Sequence, residues 1–341
     1  MICKFGSEAV RMRVRNLTNN TFTGGLAILA VAVILSAMVA QGQETPSSLS
    51  YTYTSFDYPG AIYTAAMGIN TVGVVVGAYT DTNDVTHGFA LLPTGKYESL
   101  DYPGAISTVL ARINDANQVV GSYVDSNNVS HGFMFISPNK FTPIDYPGAA
   151  QTQAYGINKA QEIVGTWFDA DGNTSGFSLI SGNFTDLVYP KSVSTVASDV
   201  NSSGEISGSW GNTGSNEQTN GFMLSTKGIY TNVEYPGAVV TLVYGINDLN
   251  EVAGAYTDPG GATHGWAGLP SKKEYVTLDY PGASSSGLGG LGNNGTFVGG
   301  YIGSDGKGHG YCVISGPAAA QVQDGLGDKA SAPPTKGRCP G

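Results

Sequence analysis

Charge is scarce in this chain: Asp, Glu, Lys and Arg make up 12% of its 341 residues. A disordered chain would pair high charge with few aromatic residues, and 19 Tyr with 12 Phe exclude that class. Basic residues are the scarcer sign, 16 Lys+Arg against 26 Asp+Glu. An acidic surface repels phosphate backbones, so nucleic acid is excluded as a partner. Cysteine is almost missing. Cys3, Cys312 and Cys339 are the whole set, too few for a disulfide framework to hold the fold. Motifs of covalent, zinc or nucleotide chemistry are missing too: there is no Gly-x-Ser-x-Gly elbow, no His-Glu-x-x-His and no phosphate loop.

What the chain has in quantity is glycine, 49 residues set among Thr, Ser, Asn and Tyr. That composition belongs to short strands joined by tight turns, and almost no helix is expected. The first 42 residues read as an export signal. Lys4, Arg11, Arg13 and Arg15 form a basic start, residues 26–40 an apolar core, and Ala40 and Gly42 suit cleavage after Gly42. The other reading, a retained membrane anchor, has only 15 apolar residues to offer, where a bilayer span takes about 20. Export places the mature chain outside the cell or in the periplasm, with residues 43–50 as a linker. The signal holds four of the 16 basic and one of the 26 acidic residues, leaving 12 and 25, a formal −13. Cys3 leaves with it. In an oxidising compartment Cys312 and Cys339 either pair, pinning the tail to the last repeat, or stay free or intermolecularly bonded.

One phrase, Asp-Tyr-Pro-Gly-Ala, recurs at a nearly constant interval. It is intact at 57–61, 101–105, 145–149 and 279–283, carries Glu for Asp at 234–238, and is degraded to Val188-Tyr189-Pro190-Lys191. Its tyrosines are Tyr58, Tyr102, Tyr146, Tyr189, Tyr235 and Tyr280, at steps of 44, 44, 43, 46 and 45. Repeats of about 40–50 residues with strand-like content mark propellers and related arrays. Residues 62–105 contain four strand-length runs, at 64–70, 74–80, 86–92 and 97–101, parted by turns of Gly, Pro, Asn and Asp. That matches one propeller blade. Gly77, Gly121, Gly165, Gly208, Gly254 and Gly299 stand midway along the second strands. Glycine there signals a bulge or a close backbone, and crowding of neighbouring blades near the axis is the expected cause. Proline cannot donate to a ladder, so the phrase marks the crossing between blades.

The Ile-Asn turn has six versions: Ile69-Asn70, Ile113-Asn114, Ile157-Asn158, Val200-Asn201, Ile246-Asn247 and, more weakly, Gly292-Asn293. The third strand opens six times, with His87, His131, Ser175, Asn220, His264 and His309 each followed by Gly and an aromatic residue. No fourth strand follows residue 315, while a spare one lies at 51–57. It is expected beside 311–315, where it covers an open edge. The fold expected is all-β: a six-bladed propeller of four-stranded blades over 51–315, closed by its N-terminal strand, with 316–341 as a disordered tail.

These repeats resemble a bacterial extracellular family, the HAF repeat proteins. Its unit couples an Ile-Asn turn, a Val-Val-Gly-x-Tyr strand and a His-x-Phe strand, as in Ile113-Asn114, Val119-Val120-Gly121-Ser122-Tyr123 and His131-Gly132-Phe133. The resemblance covers about 51–315, with Gly for the family's middle Ala and the His lost from two repeats. It implies secretion and a repeat array, and supplies no activity to carry over.

If each blade runs from inside to outside, the crossings and the loops between second and third strands emerge on one face. Loops held by a rigid scaffold are where ligands sit. The candidate ligand residues are therefore Asp57, Tyr58, Asp101, Tyr102, Asp145, Tyr146, Tyr235, Asp279 and Tyr280, with Glu234 beside them. Tyrosine faces would stack on a sugar or peptide and the carboxylates would hydrogen-bond to it. The opposing reading has each Asp capping a turn and each Tyr packing on the adjacent blade, and repetition in every blade favours it. The four histidines lie on third strands, away from the axis, and cannot all come within about 2 Å of one metal ion. A hydrogen bond to a loop or crossing is expected of them instead. Asp169-Ala170-Asp171-Gly172-Asn173 is similar to the start of a calcium loop, but Ile180 stands at the twelfth position, where Glu is needed. Repeat four, at 188–191 and in its longer loop at 210–220, is either specialised or drifted.

The chain is read as an exported binding or surface-interaction module, monomeric, without cofactor or metal, its partner an extracellular glycan or protein surface. An extracellular carbohydrate-active enzyme with an acid pair in the central mouth is one alternative. A purely structural envelope protein is the other. An exposed ring of tyrosines favours binding; an asymmetric carboxylate cluster at the axis favours the enzyme.

Overall fold

Runs of β-branched and aromatic residues between Gly, Asn and Asp turns fold, in every repeat, into four antiparallel strands. The computed structural model describes residues 49–212, 219–317, 335–336 and 339. The expected signal at 1–42, most of the tail and the middle of the 210–220 loop lie outside them. The first, innermost strands are Tyr63–Ile69, Ser107–Ile113, Gln151–Ile157, Ser194–Val200, Val240–Ile246 and Ser285–Leu291. The second are Val75–Thr80, Gln118–Val124, Ile163–Phe168, Ile206–Gly211, Val252–Thr257 and Thr296–Ile302. The third are Thr86–Leu91, Ser130–Ile136, Thr174–Ile180, Thr219–Leu224, Thr263–Leu269 and Gly308–Pro317. The outer strands of five blades are Tyr97–Ser99, Lys140–Ile144, Asn183–Leu187, Tyr230–Val233 and Glu274–Thr277. A single 3₁₀ turn, Pro270–Lys272, is the only helical piece among the described residues.

The sixth blade takes its outer strand from the other end of the chain. Leu49–Phe56 lies antiparallel to Gly308–Pro317, in a register that sets Tyr51 against Ser315 and Ser55 against Tyr311. The ring is a six-bladed propeller closed by its N-terminal strand. Both strands overrun the sequence boundaries, into the expected linker at Leu49 and the expected tail at Pro317, because the ladder persists while both chains stay extended. Further pieces of that tail also return: Thr335–Lys336 pairs in parallel with Thr54–Ser55, and Cys339 forms a disulfide with Cys312. Of the two cysteine alternatives, pairing is the one present.

Between the blades lies an apolar core. Each third strand sends one ring fully inside, Phe89, Phe133, Phe177, Phe222, Trp266 or Tyr311, each contributing about 2–3 kcal/mol by burial. The second-strand glycines have a different cause from the one expected. A Cβ on Gly77 would stand 2.1 Å from the Ala65 carbonyl oxygen, and one on Gly121 2.0 Å from that of Val109. The crowding backbone is the first strand of the same blade, which bulges there in all six, between Ala66 and Gly68 in the first and between Leu110 and Arg112 in the second.

The Ile-Asn turn stitches blade to blade. Asn114 Oδ1 accepts the N–H of Ala116 and of Gln118, both at 3.0 Å, fixing its own turn. Its Nδ2 then donates to the main-chain carbonyl of Asn158 in the next blade at 3.1 Å. Asn70 does the same to Asn114, Asn158 to Asn201, and Asn201 to Asn247. At the fifth junction Asn293 and Asp248 replace this pattern with reciprocal bonds of 2.8 and 2.9 Å.

A chain starting at Asp57 loses the sixth outer strand together with the buried Tyr53 and Phe56 rings. Its melting temperature is expected to drop on the order of 10 °C, and a synthetic peptide of residues 49–56 should restore it. An unchanged melting temperature would show that closure does not depend on this strand.

Candidate functional site

Each crossing phrase clasps two successive blades. Its Gly adopts a left-handed conformation, φ 81 at Gly60 and 80 at Gly104, and the Ala N–H bonds back to the Tyr carbonyl at 3.1 Å, so Pro-Gly forms the centre of a type II turn. Lys191 holds the same conformation in the degraded copy, at φ 65. The acid reaches back to the third strand it has just left. His87 Nδ1 lies 2.9 Å from Asp101, His131 2.8 Å from Asp145, His264 2.7 Å from Asp279 and His309 2.9 Å from Asp57. Where the acid is Glu234 the partner is Asn220, at 2.9 Å. Where Val188 replaces the acid, the third strand carries Ser175. The two repeats that lose the His are therefore the two in which the acid has changed.

The tyrosine reaches forward. Tyr58 stacks on Tyr79 and Tyr102 on Tyr123, ring centroids 3.6 Å apart. Tyr146 stacks on Trp167, Tyr235 on Tyr256 and Tyr280 on Tyr301. The second ring of most stacks covers a histidine in turn, as Tyr123 does His131 at 5.0 Å. Burial holds the Tyr79 hydroxyl up to about 12. The nine sequence candidates are thus spread over five blade junctions, with Tyr280 buried and one face of each ring already occupied. The acids stay open to water, Asp101 41% and Asp145 54% exposed.

Charge is divided unequally between the two faces. Among residues whose side chains are described, the crossing face carries Asp57, Asp81, Asp84, Asp101, Asp125, Asp145, Asp169, Asp171, Glu234, Asp258, Asp279 and Asp305 against Lys191 and Lys307; the backbone of Lys336 lies beside Ser55. The Asn-turn face mixes Glu98, Asp115, Glu162, Glu205, Asp248, Glu251 and Glu274 with Lys96, Lys140, Lys159, Lys227, Lys272 and Lys273.

The axis holds residues that the repeat reading missed. Just past the bulge, the equivalent positions are Gly68, Arg112, Gly156, Asp199, Gly245 and Gly290. A Cβ on Gly156 would come 2.6 Å from Asp199 Cα, and one on Gly290 2.2 Å from Arg112 Nη1. Two side chains fill the space that four glycines leave. Arg112 donates to the bulge carbonyls of three other blades: Met67, Gly289 at 3.2 Å, and Tyr244. Bulging frees those carbonyls from the ladder, and a guanidinium has the donors to collect them. Its Nε lies 3.2 Å from Asp199 Oδ1 as an ion pair, both side chains under 10% exposed, without an aligned hydrogen bond. Asp199 also accepts the N–H of Val200 at 3.0 Å and of Ile246 at 3.2 Å. Burial pushes its carboxyl up, and Arg112 opposes that.

The pair floors a polar cup of about 70 Å³ on the Asn-turn face, lined by Asn70, Thr71, Asp115, Asn158, Lys159, Ser202, Asp248 and Asn293 among others. Asp115 Oδ1 accepts both the N–H and the hydroxyl of Thr71, at 2.9 and 2.8 Å. None of the nine sequence candidates lines this cup. Among the described residues no group of His, Cys, Asp and Glu is placed to hold a metal, and no helix is long and apolar enough to cross a membrane. The calcium-like loop is an Asx turn: Asp169 Oδ1 accepts the N–H of Asp171 and Asn173, both at 2.9 Å.

Arg112→Met strands a buried carboxylate and is expected to lower the unfolding free energy by about 3–5 kcal/mol. Adding Asp199→Asn should recover part of that loss; an Arg112→Met variant as stable as the parent in denaturant titration would contradict the axial pairing. The His264 clip sets a pH window. Burial lowers the His264 pKa, but Asp279 and then Asp258 outweigh it, so the net shift is upward; Asp258 is held low, chiefly by the Ala262 N–H. The His contribution is complete below its unfolded value of about 6.5 and is lost as pH rises through the raised one. The Asp contribution is present above about 3.9 and lost as pH falls through the lowered one. Proton NMR should place the His264 midpoint above about 6.5, and Asp279→Asn should bring it down.

No family model and no curated protein sequence matches the chain. Solved structures match in fold. TolB from Acinetobacter baumannii aligns with TM-score 0.50 and 12% identity over 63% of this chain, which spans about half, 54%, of that one. A protein of Agrobacterium tumefaciens described as a TolB aligns with TM-score 0.52 and 13% identity, over 80% of this chain and 100% of that one. The Aleuria aurantia lectin, a fungal six-bladed propeller that recognises fucose, aligns with TM-score 0.42 and 10% identity, over 67% and 94%. The chain shares the architecture of six-bladed β-propellers.

Proposed function

We propose that the protein is an exported binding module that seats a hydrophilic ligand in the axial cup of its Asn-turn face. The observation that carries this is the floor. Arg112 and Asp199 turn what would be a through-channel into a closed, shallow depression with a turn from each blade around it. At about 70 Å³ the cup is far smaller than the roughly 300–1,000 Å³ of pockets that engulf small molecules. It suits the end of a glycan chain or a peptide loop, held by Lys159, by Asp248 and by the Asp115 oxygen that Thr71 leaves open. Export is supported by the basic, apolar and small-residue order of the first 42 residues and by the Cys312–Cys339 disulfide, a bond that persists in oxidising compartments. Kinship with the HAF repeat proteins belongs to the same reading and rests on the repeat motifs.

The mature chain, residues 43–341, should give selective signals on a glycan and peptide array. Lys159→Ala and Asp115→Ala are expected to weaken binding of the selected ligand about tenfold each, with the melting temperature of Lys159→Ala unchanged. Full binding by both variants would remove the cup from consideration. Cleavage of the bound glycan would favour the enzyme, and an empty array the structural envelope protein.

A further inference from the structure

The crossing face, opposite the cup, carries one repeated residue that the fold does not account for. In the first crossing Asp57 clips His309, Tyr58 stacks on Tyr79, Pro59 and Gly60 make the turn, and Thr64 Oγ1 accepts the Tyr58 N–H at 3.1 Å. The residue after Ala61 only gives its N–H to the ladder, Ile62 to the Thr80 carbonyl at 2.9 Å. Any residue but proline supplies that bond. A strand start in water suits Thr as well as Ile, and the chain uses Thr freely. Yet the position holds Ile62, Ile106, Val193 and Val239 in four blades, 40, 48, 52 and 55% exposed, with Ala150 and Ser284 in the other two. Apolar side chains scattered singly need no explanation, but a set on one face at equivalent positions marks an interaction surface.

Two further features lie on this side. Met67, Val109, Val196 and Leu242, midway along innermost strands, are only partly buried, as are Gln153, Tyr155 and Tyr244 at equivalent positions. Arg112 and Asp199 close the axis below them. Outside the apolar set stand the twelve carboxylates named above, against two lysines among the residues whose side chains are described. We infer that this face docks a cationic polypeptide segment, rich in Lys or Arg, whose aliphatic or aromatic side chains pack on the Ile and Val set and enter the channel mouth. Charge complementarity chooses this occupant: a second copy would set acidic face against acidic face, and a phosphate backbone would be repelled. The proposal does not rest on the cup, which lies on the other face.

The test is fluorescence anisotropy of the mature chain with labelled peptides of repeated Lys-Leu-Gly, Lys-Ser-Gly and Glu-Leu-Gly triplets. Lys-Leu-Gly is expected to bind, and each of the others to bind at least about tenfold more weakly. The double variant Ile106→Ser, Val239→Ser, both sites exposed, should keep its melting temperature and lose about tenfold for Lys-Leu-Gly alone. Asp84→Asn with Asp171→Asn should weaken both cationic peptides. Lys227→Ala, on the opposite face and outside the cup, should leave the binding of all three peptides unchanged. Equal binding of Lys-Ser-Gly and Lys-Leu-Gly, full binding by the Ser variant, or no binding of any peptide would overturn the inference. So would self-association in sedimentation that the Ser variant abolishes, since the ring would then belong to a second copy.

Discussion

A propeller stays circular only if every blade is tied both to the one before and to the one after, and here one five-residue phrase does both. The acid reaches back to the third strand of the blade just completed, as Asp101 does to His87. The next residue reaches forward to stack on the blade about to begin, as Tyr102 does on Tyr123. Each stack is worth about 0.5–1.5 kcal/mol beyond its burial, and each exposed acid–imidazole contact about 0–1 kcal/mol. Taken around six junctions, the sum is comparable with the roughly 5–15 kcal/mol that keeps a typical domain folded. The clasp also explains how the repeats vary. Asn220 with Glu234 keeps a hydrogen bond with a different pair of side chains, while Ser175 and Val188 give it up together and leave Tyr189 on Trp210 to hold that junction.

Much of this was legible because the interactions are periodic. Tyrosines 43 to 46 residues apart give the blade number, and an unmatched strand at 51–57 points to its place beside the last blade. Proline in the phrase marks the crossings. Partners were harder to read, since a residue that repeats in every blade has an equivalent contact in every blade, and periodicity does not say which neighbour it meets. The second-strand glycines were assigned to crowding between blades; Gly77 instead faces the Ala65 carbonyl of its own blade, because an unseen bulge brings that oxygen close. Asn114 was visible as a turn residue, but its bond to Asn158 crosses to the next repeat. Arg112 and Asp199 break the pattern rather than repeat it, so periodicity does not point to them. Comparing the six repeats column by column reveals them as two opposite charges among four glycines.

Those two residues give the ring its asymmetry from top to bottom. With Arg112 gathering carbonyls from three other blades and bonded in charge to Asp199, the axis is sealed at one depth, nearer the Asn turns than the crossings. The two faces therefore present different chemistry. One is a shallow polar cup with mixed charges at its rim. The other is acidic, with apolar side chains around the opening of the channel.

The outer strand of the sixth blade is flanked on both sides, by Gly308–Pro317 and by Thr335–Lys336, and the bond from Cys312 to Cys339 links the two flanks. The segment 49–56 is therefore paired along both edges, by strands that a covalent bond joins. During synthesis it emerges long before either flank exists, and waits as an unpaired stretch of Tyr, Thr, Ser and Phe, a composition prone to stick to other strands. Once the bond has formed the order reverses. The first part of the domain to be made becomes a strand with no open edge along Thr54 and Ser55, and its release requires both ladders to part, a kinetic as well as an equilibrium barrier.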